Sequence, residues 1–150
     1  MLPQSLYIIE FFRAFMRVYQ TKITIVNIRK PAPDNVNQQL QWLGNSLGLF
    51  NLRDKDKSCF RVFIELLKGA KLGRRLSSDE LAYRLNLTRG TVIHHINRLM
   101  ESGIVSHEAN TYMLRVNNLK ELIDEVEEDV KRTCKSLRDI AEKIDQRIGL

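Results

Sequence analysis

Apolar residues recur at helical spacing through most of this chain and at strand spacing in only a few short places. The clearest stretch is 76–105. Leu81, Leu85 and Ala82 give one apolar side of a short helix, and Val92, Ile96, Leu99 and Met100 give the single stripe of a second. Ser77 followed by Glu80 has capping-box spacing, in which hydroxyl and carboxylate each satisfy a free backbone N–H. Asn86 tolerates the left-handed conformation in which helices stop, Leu87 can plug the corner behind it, and Thr88 can cap the next helix. Gly103 closes that helix. Two helices joined by so tight a corner predict a helix-turn-helix, whose second helix can enter a DNA major groove.

With Val92, Ile96 and Leu99 turned inward, the second helix is expected to show Arg89, Gly90, Thr91, His94, His95, Asn97 and Arg98 to solvent, with Thr88 at its start. No carboxylate joins them before Glu101. Arg and Asn can pair bidentately with guanine and adenine edges, Thr and His make single contacts, and Gly lets backbone approach a phosphate. Past Gly103, residues 104–108 and 111–116 read as two short strands around Ala109-Asn110. A hairpin directly after a recognition helix is a wing, with Asn110 and His107 as candidate contacts. Ahead of the pair, Phe60, Phe63, Ile64, Leu66 and Leu67 predict a supporting helix over 58–68, ended by Gly69. The basic connection with Arg74 and Arg75 either touches DNA backbone or is simply solvated.

Further upstream, Asp34 is placed to cap a helix with the stripe Val36, Leu40, Leu43 and Leu47, beside which Trp42 serves as a packing anchor. Pro31 and Pro33 mark a boundary. Before them, residues 22–29 alternate imperfectly as a strand, and residues 6–19 are apolar nearly all round but too short to span a bilayer. Packing on the body or a partner subunit, or lying on a membrane surface, are the two readings of that first segment.

The last third predicts one long helix. Asn118 with Glu121 repeats the capping spacing. Leu119, Ile123, Val126, Val130, Thr133, Leu137, Ile140 and Ile144 alternate steps of four and three, a coiled-coil seam. A helix of about thirty residues is roughly 45 Å long, more than one small domain covers, so a second copy of the chain is expected to bury its far end.

Charge sharpens the picture. Residues 53–117 hold twelve Lys and Arg against seven Asp and Glu, whereas 118–150 hold seven against nine. The positive excess falls on the segment with the helix pair, as expected of a surface that neutralises phosphates. Cys59 and Cys134 lie far apart, form no metal or redox pair, and are expected as buried apolar residues in a reducing, cytoplasmic setting. No Gly-rich phosphate loop, metal-ligand cluster or nucleophile–base pairing points to an enzyme. His94 and His95, about 100° apart on a helix, do not share a metal.

Residues 54–117 resemble the winged-helix regulators of the ArsR-like class. Thr91-Val92-Ile93-His94-His95-Ile96, then Leu99 through Gly103-Ile104-Val105, is similar to that class's T-V-S-H-H-L…L-x-x-x-G-L-V signature. The span from Gly48 to Leu150 also resembles predicted regulators frequent in archaea. The resemblance covers about two thirds of the chain and implies a homodimer on operator DNA, contacted by Arg89, Thr91, His94, His95 and Arg98. Metal-sensing members carry cysteines in the helix before the corner, or His and Asp on the last helix. Residues 79–86 have no Cys and 118–150 no His, so no metal, cofactor or small-molecule ligand is indicated.

The expected fold is therefore mainly α with a small β-hairpin wing. It comprises an N-terminal extension (1–33), a winged helix-turn-helix domain with a preceding helix (34–117), and a long C-terminal dimerisation helix (118–150). Its expected partners are double-stranded DNA and a second copy, with no membrane. A protein-interaction adaptor and a non-specific chromatin or RNA binder are the rival functions.

Overall fold

The structure, a computed structural model, describes residues 21–50 and 57–150. The elements in order are α1 (Val36–Ser46), α2 (Ser58–Lys71), β1 (Leu76–Ser77), α3 (Ser78–Leu85), α4 (Arg89–Glu101), β2 (Val105–Glu108), β3 (Thr111–Leu114) and α5 (Leu119–Ile148). The fold is mostly helical, with a three-stranded antiparallel sheet in the order β1-β3-β2. The apolar segment at 6–19 lies outside the described residues.

One core serves α2, α3, α4 and the sheet. Val62, Phe63 and Leu66 of α2, Leu81 of α3, Val92, Ile96 and Leu99 of α4, and Leu114 of β3 are all but fully buried against one another. Each such side chain stabilises the fold by about 1.5–3 kcal/mol relative to exposure. Leu122 at the start of α5 joins the same cluster, and Leu119 packs against it.

Local signals account for the element ends. The Ser77 hydroxyl accepts from the Glu80 N–H at 3.1 Å while the Ser77 N–H donates to the Glu80 carboxylate at 3.0 Å, the capping box in full. Asn86 takes the left-handed conformation at φ 53°. Thr88 caps α4 through the Thr91 N–H at 3.2 Å, and Asn118 caps α5 through the Glu121 N–H at 2.9 Å.

Several expectations need correction. Asn35, not Asp34, caps α1, its side chain accepting from the Gln38 N–H, and Val36 stands exposed with the rest of that first turn, the stripe reaching cover only further along the helix. α2 runs through Gly69 to Lys71. A Cβ at position 69 would meet the Arg74 carbonyl at 2.9 Å, so the missing side chain lets the returning chain cross the helix rather than ending it. β1 was not expected; it pairs Leu76 with Tyr112 and Ser77 with Thr111, adding a strand to the hairpin.

Residues 22–29 form no strand. This segment is an extended strap fastened through backbone: the Lys22 N–H donates to the Glu101 carbonyl, the Val26 N–H to the Ser46 carbonyl, and Trp42 Nε1–H to the Ile28 carbonyl. Its threonines fit where glycines leave room: a Cβ on Gly48 would meet Thr24 at 2.7 Å, and one on Gly103 would meet Thr21 at 2.9 Å.

α5 divides in two. Its first turns are tied to the body by Leu122 and Val126 and by Arg115, whose guanidinium grips Glu125 at 2.8 Å and Asp129. Residues 131–150 are exposed throughout. Cys134, expected to be buried, is exposed there; Cys59 is buried. No helix among the described residues is long and apolar enough to cross a membrane.

Candidate nucleic-acid interface

α4 offers its N-terminal half to solvent. Thr88, Arg89, Gly90 and His94 are exposed, with Thr91 and Asn97 half-buried beside them. The Thr88 and Thr91 hydroxyls lie 2.8 Å apart. The remaining free N–H groups of the first turn add the positive end of the helix dipole, which favours an anion. A Cβ added to Gly90 would stand in open space, and its backbone is not left-handed. Nothing within the described chain demands a glycine there, whereas the approach of an external backbone would.

Arg89 pairs with Asp79 of α3 at 3.5 Å, but both side chains are mostly exposed. An exposed pair of this kind is worth about 1 kcal/mol or less, so an incoming phosphate can replace the carboxylate. Arg74 and Arg75 are more firmly engaged. Arg74 pairs with Glu80 at 2.9 Å, and Arg75 reaches the wing through the Thr111 hydroxyl at 3.1 Å and Glu108 at 3.4 Å. The Glu80 carboxyl is held below its ordinary range, first by the Ser77 N–H and then by the positive charge of Arg74.

Two residues expected on the reading face stand elsewhere. His95 is buried, at 9% exposure. It follows Val92 by three positions and precedes Leu99 by four, so it falls on the inward stripe with them. Arg98 is half-buried, and its guanidinium donates to the Gly48 carbonyl at 3.3 Å, which fastens α4 to the turn after α1. The outward set is therefore Thr88 to Thr91, His94 and Asn97, all in the first two-thirds of the helix.

At the wing tip, Ala109 and Asn110 form an exposed two-residue connection, with Ala109 at φ 52°. His107 is exposed and its ring lies 5.2 Å from that of Tyr112. Sequence reasoning passed over two neighbours. Asp79 screens Arg89, and Tyr83 on α3 is 90% exposed. The signal for Tyr83 was its position opposite the Leu81–Leu85 stripe.

A short helix, a left-handed corner, a capped second helix with a polar leading end, and a hairpin packed beside it are now in view. This is a winged helix-turn-helix. Residues 73–106, from the lead into β1 to the start of the wing, match a family model described as winged helix-turn-helix DNA-binding. No curated protein and no solved structure matches the chain. The winged helix supports a DNA-binding regulator. Among the described residues, no group of three or more His, Cys, Asp or Glu is placed to hold a metal ion.

Proposed function

We propose that this chain is a sequence-specific, DNA-binding transcriptional regulator of the ArsR-like kind, acting as a homodimer on an inverted-repeat operator. The observation that carries the reading is the accessible leading end of α4: a capped helix N-terminus with Arg89, Gly90 and His94 exposed, Thr91 half-buried beside them, and Arg89 held only by the exposed pair with Asp79. In the proposed complex Arg89 exchanges Asp79 for DNA, His94 and Asn97 face base edges, Gly90 admits the phosphate backbone, and Asn110 at the wing tip touches the flanking strand. Arg74 and Arg75 act mainly as braces for α3 and the wing. Thr133, Leu137, Ile140 and Ile144, exposed on α5, are the surface for the second copy, while Leu119 and Val126 seat the helix on its own body.

Selection of bound duplexes from a random pool tests this. The expected product is a palindromic consensus with half-sites about 34–36 Å apart, one helical turn. Arg89→Ala is expected to weaken binding to that consensus by about 1–3 kcal/mol. Enrichment of no sequence would overturn the regulator reading in favour of an adaptor or a general nucleic-acid binder.

A further inference from the structure

We propose that residues 6–19 of this chain pack as a helix along the far half of α5, on the side of its apolar face that the second copy leaves open. This rests on the homodimer reading above and adds an occupant to it.

The far half of α5 has more apolar face than one neighbour covers. Thr133, Leu137, Ile140 and Ile144 make one seam, the surface for the second copy. Val130, Cys134, Ala141 and Ile148 make another beside it, about 60° further round the helix. Val130 is half-buried, and every later member of both seams is exposed. Together they span about 120°, wider than the narrow stripe that a pair of helices closes.

Residues 6–19 have the matching property. Tyr7, Phe11, Ala14 and Val18 step by four, three and four, and so do Ile8, Phe12, Phe15 and Tyr19 one place on. With Ile9 and Met16 they sweep an arc of about 220° on a helix, while Glu10, Arg13 and Arg17 gather on the remaining side. A face so wide is buried by two neighbours rather than by one. The groove between the second seam of one α5 and the partner's α5 supplies both, and it exists only once the two copies have met.

The connection fixes place and direction. Thr21 and Ile23 line one cavity with Arg132 and Thr133 of α5, and the Lys22 N–H donates to the Glu101 carbonyl. The segment therefore joins the body where the exposed face begins, and along that face it runs antiparallel to α5. Residues 6–19 extend about 21 Å as a helix, against about 22 Å from Thr133 to Ile148. With Tyr19 beside Thr133, Val18 falls across from Cys134, Phe15 from Leu137 and Phe11 from Ala141. Val18 and Phe11 then lie over the two small side chains of the second seam, as interlocking of facing helices requires.

Disulfide trapping in the full chain tests this, with Cys134→Ser as background and Cys59 buried. Phe11→Cys with Ala141→Cys is expected to close an intramolecular bridge under mild oxidation, read as a faster-running single chain on a non-reducing denaturing gel. Val18→Cys with Ala141→Cys, about 10 Å apart along the axis, is expected to stay reduced, since bridged Cα atoms lie within about 7 Å. No bridge in the first pair, or equal bridging in both, overturns the docking. A covalent dimer in place of the bridged single chain puts the segment on the partner's α5 and overturns the arrangement. In the unsubstituted chain, amide exchange over residues 6–19 is expected to slow as dimer forms; exchange as fast as in a free peptide overturns the docking and leaves the homodimer standing. Binding of that unprotected segment to anionic phospholipid vesicles would put the membrane-surface reading in its place. A monomer at micromolar concentration by sedimentation overturns the homodimer reading itself, and the groove with it.

Discussion

α4 and the far half of α5 carry the same kind of apolar stripe and meet opposite fates. Val92, Ile96 and Leu99 of α4 are 0% exposed, whereas Leu137, Ile140 and Ile144 of α5 are 64%, 55% and 51% exposed. Helical spacing of apolar residues states that a face requires cover; it does not state which molecule supplies it. In α4 the cover comes from α2, α3 and the sheet. In α5 beyond Asp129 no described residue comes near enough to provide it.

Truncations at equivalent depth in the two stripes separate these cases most sharply. Ile96→Ala is expected to cost about 2–5 kcal/mol of unfolding free energy, measured as a lowered urea midpoint, since the surrounding core cannot collapse into the space left. Ile140→Ala is expected to leave the unfolding of the isolated chain within about 0.5 kcal/mol of the parent. Its effect should fall on self-association, read by sedimentation across a concentration series. An Ile140→Ala chain that loses monomer stability as Ile96→Ala does would mean that the far stripe is covered from within.

Gly90 gives a smaller effect, and one of opposite sign in stability and in binding. A side chain there would point into open space, and its backbone is ordinary helix. Gly90→Ala should therefore raise thermal stability, by up to about 1 kcal/mol, because alanine has less freedom to lose on entering a helix. The added methyl should at the same time weaken affinity for the selected operator. Higher stability with unchanged affinity would remove Gly90 from the interface.

The helix pair, its corner and the long helix were legible because their signals are local. Ser77, Asn86, Thr88 and Asn118 act on backbone groups within three or four residues, so spacing alone exposes them. What stayed hidden depends on distant chain. β1 is two residues long, too short for any alternation, and exists because Leu76 and Ser77 find Tyr112 and Thr111. The strap at 21–30 docks by backbone hydrogen bonds and by hollows at Gly48 and Gly103, none of which leaves a hydrophobic period. On the reading face, the outward side of α4 was read correctly for Arg89, Gly90 and His94. It was misread for His95, where a polar side chain sits in the i+3 place of an apolar stripe. Arg98 was legible as a cation but not as a brace, since its acceptor is a carbonyl fifty positions away in sequence.

The joint between body and free helix is the last point at which the comparison can be tested, and it titrates. Arg115, at the end of the wing, grips Glu125 and Asp129, and Arg132 also reaches Asp129. The hydrogen bond from Arg115 holds the Asp129 carboxyl below its ordinary range, with Arg132 adding to the effect, and the same contact raises Arg115. A carboxylate depressed in the folded state favours folding while it is ionised. Its contribution is therefore complete above the unfolded aspartate value, near pH 4, and is lost as pH falls through the lower folded value. Asp129→Asn should cost about 0.5–1 kcal/mol at neutral pH and flatten the acid limb of stability against pH. If the joint alone holds the helix root, amide exchange should quicken over residues 119–130 in the variant while α4 is unaffected. Equal quickening in α4 would show that body and helix root open as one unit, and the division between covered and uncovered stripes would then begin beyond residue 130 rather than at the joint.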